Sequence, residues 1–116
     1  MEKNVVKEKS KQFALDIIVL YKQLSEEKKE SIISKQIMKS GTSIGANVRE
    51  AQRAQSIPDF YSKMNIALKE AEETLYWLEL LQAGNFITTE LFNIYYEKCE
   101  EIVRLLVSIT KQQMNY

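Results

Sequence analysis

The sequence predicts an all-α fold, an antiparallel up-down-up-down four-helix bundle, on three observations. Proline occurs once and glycine three times in 116 residues, too few interruptions for a sheet-rich topology. Apolar residues recur at steps of three and four through four successive stretches, the period of a helix that buries one face. Short polar turns separate the stretches, and helices joined by short turns pack side by side in opposite directions. With 45% hydrophobic residues the chain forms one domain, residues 1–116, around a single core.

The first helix is expected from Asn4 to Leu24, with Phe13, Ile17, Leu20 and Leu24 facing inward and Ile18 and Tyr21 beside them. The polar run from Ser25 to Glu30 reverses the chain. The second helix is expected from Glu30 to Ala54, carrying Ile33, Ile37, Ile44, Val48 and Ala51 at helical steps, with Ser40 and Gly41 filling the intervening turn. Gly41 and Gly45 lie inside it. Each costs about 1 kcal/mol relative to Ala in a helix interior, so both need a compensating close approach by another helix or a bulky ring. A competing reading places a loop at Ser40 to Ser43 and restarts the helix with Ser43 as its cap.

Ser56-Ile-Pro-Asp marks a firm boundary. Ser56 caps, Pro58 sits in the first turn where its missing N–H costs nothing, and Asp59 favours the positive helix end. The third helix then runs to Ala83 with Phe60, Met64, Ala67, Ala71, Leu75 and Leu78 on one side. Gly84-Asn85 supplies a left-handed stop. Thr88 caps the fourth helix, whose inward residues are Leu91, Tyr95, Ile102, Leu105 and Ile109, ending near Lys111.

The last two helices hold more apolar surface than one stripe requires. Tyr76, Trp77 and Leu80 lie outside the main stripe of the third, and Phe92, Tyr96, Cys99, Val103 and Leu106 form a second series on the fourth. Helices apolar on two faces are buried on two faces, and large exposed apolar patches mark interaction surfaces. Tyr76, Trp77, Leu80, Phe92, Tyr96, Val103 and Leu106 are therefore the expected homo-oligomer interface. A wide core that absorbs them is the simpler alternative.

Catalytic and metal chemistry find little support. The chain has no histidine and one cysteine, which excludes Cys/His zinc sites, Glu-x-x-His di-iron sites and an intrachain disulfide. Cys99 lacks a recognisable base and reads as a packed thiol. Glu70, Glu72, Glu73 and Glu79 spread over several faces of one helix. The glycine pair lacks the Gly-Lys-Ser or Gly-Lys-Thr of a phosphate loop. A small helical enzyme of chorismate mutase type would need inward cations, whereas Lys39, Arg49 and Arg53 lie off the apolar stripe. No catalytic residue, cofactor or metal is assigned. No segment is apolar for long enough to span a bilayer, and the N-terminal residues lack a signal-peptide core, so a cytoplasmic protein without membrane contact is expected.

Sixteen basic residues balance sixteen acidic ones. Broad electrostatic wrapping of nucleic acid is disfavoured, since such binding depends on Lys and Arg displacing counterions from phosphates. Local patches remain. Residues 1–40 hold nine lysines against six acidic residues, and Lys3, Lys7 and Lys11 repeat at helical spacing. Lys35, Lys39, Arg49 and Arg53 make the candidate recognition surface, facing a nucleic acid or an acidic protein, with a solvated helix face as the plain alternative. Asn47 and Glu50 share a face and are expected, with Gly41 and Gly45, to fix packing and register through hydrogen bonds to a neighbouring helix or subunit.

Ser40-Gly-Thr-Ser-Ile-Gly-Ala-Asn-Val-Arg-Glu-Ala51, then the Asp59–Thr74 segment and Tyr76-Trp-Leu-Glu-Leu-Leu81, occur in the order found in a known family. The chain resembles the four-helix-bundle proteins of intervening sequences in bacterial large-subunit ribosomal RNA genes, over nearly its whole length. The resemblance implies an antiparallel bundle that assembles into a ring-like pentamer. It also implies kinship with accessory proteins of diversity-generating retroelements, which bind a reverse transcriptase and carry basic surfaces suited to nucleic acid. It brings no settled activity and no catalytic residue. The expected role is a non-enzymatic oligomeric scaffold or adaptor whose partners are other copies of itself and RNA or a nucleic-acid-processing protein, with a protein-only assembly as the alternative.

Overall fold

The computed structural model describes the backbone of residues 2–115 and the side chains of residues 4–114. Lys3, the first member of the expected lysine series, falls outside the described side chains. Four α-helices form: α1 Glu2–Glu26, α2 Ile33–Ala51, α3 Ile57–Ala83 and α4 Thr89–Lys111, followed by a 3₁₀ turn at Gln112–Asn115. There is no strand among the described residues, and no helix there is long and apolar enough to cross a membrane. The helices make a bundle of 47 × 21 × 19 Å in which each packs on its sequence neighbour and α4 closes back onto α1.

The helix ends follow their local chemistry. Ser56 Oγ accepts from Asp59 N at 3.1 Å, and Asp59 returns a carboxylate oxygen to Gln55 N at 3.1 Å. Thr88 Oγ1 accepts from Leu91 N at 3.1 Å. At the end of α3 the left-handed residue is Asn85, at φ 65°, whereas Gly84 keeps a negative φ of −84°. Phe86 N then donates to Leu81 O and Asn85 N to Gln82 O, the paired bonds of a Schellman stop.

α2 is shorter than the apolar pattern predicts. Glu30 lies before the helix and folds its carboxylate over the first turn, where it accepts from Ile32 N, Ile33 N and Ser34 N at 3.0, 2.9 and 2.7 Å. Three N–H groups that have no partner within the helix are satisfied by one buried anion. Lys29, at φ 58°, turns the chain to place it. At the other end Gln52, Arg53 and Ala54 donate to carbonyls three residues back, which tightens the last turn and ends the α-helix at Ala51. Arg53 therefore stands in the turn, outside the helical face it was expected to share with Arg49.

α2 is continuous through both glycines; the loop at Ser40 to Ser43 does not form. A Cβ at Gly41 would lie 2.8 Å from Ile17 Cγ1 on α1, and one at Gly45 would lie 3.4 Å from the backbone of Ser10. The α1/α2 approach is close because side chains are missing there.

Phe13, Ile17, Leu20, Ile37, Ile44, Val48, Met64, Ala67, Ala71 and Leu78 occupy the core. On α4 the buried set is Tyr95, Cys99, Ile102, Leu106 and Ile109, at steps of four, three, four and three. Leu105 and Leu91, expected inside, are only partly buried against that core. Leu106, expected at an oligomer interface, is fully buried within the subunit. Rotating α4 to bury the uninterrupted heptad explains both corrections. On α3, Thr74 and Leu81 are buried while Phe60 and Leu75 are partly exposed. Ser40 and Thr74 share a fully buried hydrogen bond of 2.8 Å between α2 and α3. Thr74 spends its own hydroxyl hydrogen on Glu70 O, so Ser40 is the donor of that bond.

Candidate functional site

Lys7 and Lys11 of α1 and Arg49 of α2 line an open groove of about 250 Å³ whose floor is Ala14, Thr42, Gly45 and Ala46. The close helix approach at the glycines creates it, since the seam carries no side chain large enough to fill the space. Lys7 and Lys11 are one turn apart, about 6 Å along the axis. α2 carries Lys35, Lys39 and Arg49 against a single acidic residue, Glu50. That carboxylate leans away toward α3, where it pairs with Lys63 at 3.3 Å. The groove is thus locally cationic in a chain of zero net charge.

Only one of the four expected recognition residues reaches the groove. Arg49 lines it; Lys35 and Lys39 are exposed on α2 outside it, and Arg53 lies in the turn beyond. Burial and then the neighbouring Glu73 raise the pKa of Glu70, and the positive charge of Lys39 opposes that rise. Lys7 and Lys11 were visible as a helical lysine series, but nothing in the sequence pairs them with Arg49 across a seam.

Glu50 makes its bond to a neighbouring helix, through Lys63. Within the subunit Asn47 makes none: its amide donates to Ser43 O in its own helix at 2.9 Å. A polar side chain that can reach the carbonyl four residues back places a donor there without a partner helix.

A second surface lies on α3 and α4. Tyr76 is 52% exposed, and Trp77, Leu80, Phe92, Tyr96 and Val103 are half-buried. Tyr76 and Trp77 have ring centroids 5.1 Å apart, and Phe92 and Tyr96 4.8 Å apart. Acidic residues hold their polar tips, Trp77 Nε1 donating to Glu73 at 3.1 Å and Tyr96 Oη to Glu79 at 2.9 Å. That bond to Glu79, with burial, pushes the Tyr96 phenol up to about 12. The exposed pair Leu15 and Val19 on α1 has only its i,i+4 spacing as a sequence signal.

Cys99 is buried, with its thiol directed at Ala71 O at 3.3 Å. Burial, and secondarily Glu100, pushes it up to about 12, so the nucleophilic thiolate is suppressed. Among the described residues no three His, Cys, Asp or Glu side chains gather as a metal site. Lys9 and Lys98, the cations at the α1/α4 seam, pair with Glu101 and Asp16 at 3.2 and 3.0 Å.

A family model described as "23S rRNA-intervening sequence protein" matches residues 2–108. A crystal structure from Bacteroides thetaiotaomicron VPI-5482, described as a protein with unknown function from the S23 ribosomal protein family, is 57% identical. The match covers 96% of this chain and 99% of that one, with a TM-score of 0.95. No curated protein matches the chain.

Proposed function

The chain belongs to the 23S rRNA-intervening sequence protein family, and on that premise we propose that it is a non-enzymatic scaffold that binds RNA through the cationic groove between α1 and α2. Neither the family's description nor that of the solved relative names an enzymatic activity. The observation that carries the reading is the convergence of Lys7, Lys11 and Arg49 on an open groove floored by small residues. Three cations over a floor of small residues suit a phosphate backbone.

The scaffold is an up-down-up-down antiparallel bundle, a reading supported by paired positions that run in opposite chain directions: Gly41 with Ile17 and Gly45 with Ser10, Lys9 with Glu101 and Asp16 with Lys98. Copies assemble through the aromatic flank around Tyr76 and Trp77, in a ring of five by family resemblance. That flank also favours a second reading, an assembly of protein alone.

RNA binding followed by fluorescence anisotropy separates the two. With three phosphates neutralised per groove, affinity falls roughly 40-fold from about 50 to 200 mM salt. Negligible binding at the lower salt, or binding indifferent to salt, would overturn the RNA reading and leave the protein-only assembly.

A further inference from the structure

Resting on the RNA reading above, we infer that the α1/α2 groove takes the backbone of a duplex, without regard to sequence, in preference to a single strand. Among the described residues no aromatic ring lines the groove. Proteins that hold single strands rely on aromatic side chains on which successive bases stack, whereas double-stranded RNA is recognised through shape, phosphates and ribose hydroxyls. Here the described aromatic side chains lie outside the groove. Tyr76, Trp77, Phe92 and Tyr96 are on α3 and α4, and Phe60 lines a separate end cleft with Asn4 and Ala51.

The base edges of an RNA duplex stay out of reach of the groove's cations, because its A-form major groove is too deep and narrow for side chains to read. Asn47 on the same helix gives one amide hydrogen to Ser43 O, and Thr42 gives its hydroxyl hydrogen to Met38 O. The charges that meet a ligand are Lys7 and Lys11, one helical turn apart on one wall, and Arg49 on the other. Directed at phosphates, such contacts position a nucleic acid and carry no sequence information. A protein partner fits poorly, because the lining offers no large apolar pocket for the aromatic or aliphatic anchors on which protein interfaces depend.

The test uses the full chain and four probes of equal phosphate number at low salt: an RNA hairpin duplex, the same duplex with its base pairs permuted, an unstructured oligo-U strand, and an abasic strand. The expected result is affinity for the duplex at least tenfold above oligo-U, permuted and original duplexes within twofold, and oligo-U no tighter than the abasic strand. Combined Lys7→Ala, Lys11→Ala and Arg49→Ala changes, all at surface positions, abolish the duplex preference while circular dichroism stays helical. Oligo-U equal to or tighter than the duplex, or a permutation that changes affinity, overturns this inference and leaves RNA binding intact. Failure to bind any probe overturns both.

Discussion

Gly41 on α2 and Ile17 on α1 are in direct opposition: a single added carbon at Gly41 would reach within 2.8 Å of Ile17 Cγ1, inside any tolerable contact. Ile17 is β-branched and fully buried, so it has little freedom to move aside. One turn on, Gly45 faces the Ser10 backbone at 3.4 Å, an ordinary contact distance.

The two glycines therefore respond to alanine with opposite signs. Gly41→Ala gains about 1 kcal/mol of helix propensity but forces the α1/α2 seam apart, at a cost of about 1 to 3 kcal/mol, for a net loss. Gly45→Ala keeps its propensity gain and raises stability by up to about 1 kcal/mol. Urea midpoints of the two variants are the check, and equal shifts in one direction would contradict the packing described.

Glu30 governs the start of α2. Glu30→Ala leaves the N–H groups of Ile32, Ile33 and Ser34 without their acceptor and is expected to cost about 1 to 2 kcal/mol. Glu30→Gln retains an acceptor without the charge and loses less. Hydrogen exchange at Ile33 and Ser34 should quicken in the alanine variant more than at mid-helix positions such as Ile44.

Leu106 and Tyr76 separate core from flank. Leu106→Ala opens a cavity in a fully buried site and is expected to cost about 2 to 5 kcal/mol. Tyr76→Ser removes a half-exposed ring and shifts stability by no more than about 0.5 kcal/mol. Its expected effect is instead a lower mass in light scattering at micromolar concentration. An unchanged mass would point the assembly surface elsewhere.

High pH should destabilise the fold. The Cys99 thiol is raised from 9.0 and the Tyr96 phenol from 10.0, each to about 12, so the folded state holds both protons more tightly than the unfolded chain. Stability from these groups is complete below about pH 9 and declines as pH rises toward 12. Denaturation midpoints measured across that range should fall, and Tyr96→Phe should flatten the portion above pH 10. Labelling of Cys99 by a thiol reagent at neutral pH should track unfolding.

Much of the architecture was legible because helix starts and stops are local chemistry. Ser56 and Thr88 cap where a hydroxyl precedes an apolar run, and the stop after Ala83 needs only a residue able to adopt positive φ, a role taken by Asn85. The α2 ends were less legible. A glutamate at Glu30 reads as the first turn of a helix, and only the bend at Lys29 turns it into an acceptor for that turn.

The chain's pattern alone determined four helices, their order, their approximate ends and the need for a close approach at Gly41; at Gly45 the expected need is not met, since a Cβ there finds ordinary contact distance. Tertiary structure decided which apolar series of α4 turns inward, that Arg53 leaves the helical face, and that Lys7 and Lys11 meet Arg49 across the α1/α2 seam. Periodicity fixes which residues share a face. Where two faces are apolar, the rotation of the helix follows from what its neighbours can bury.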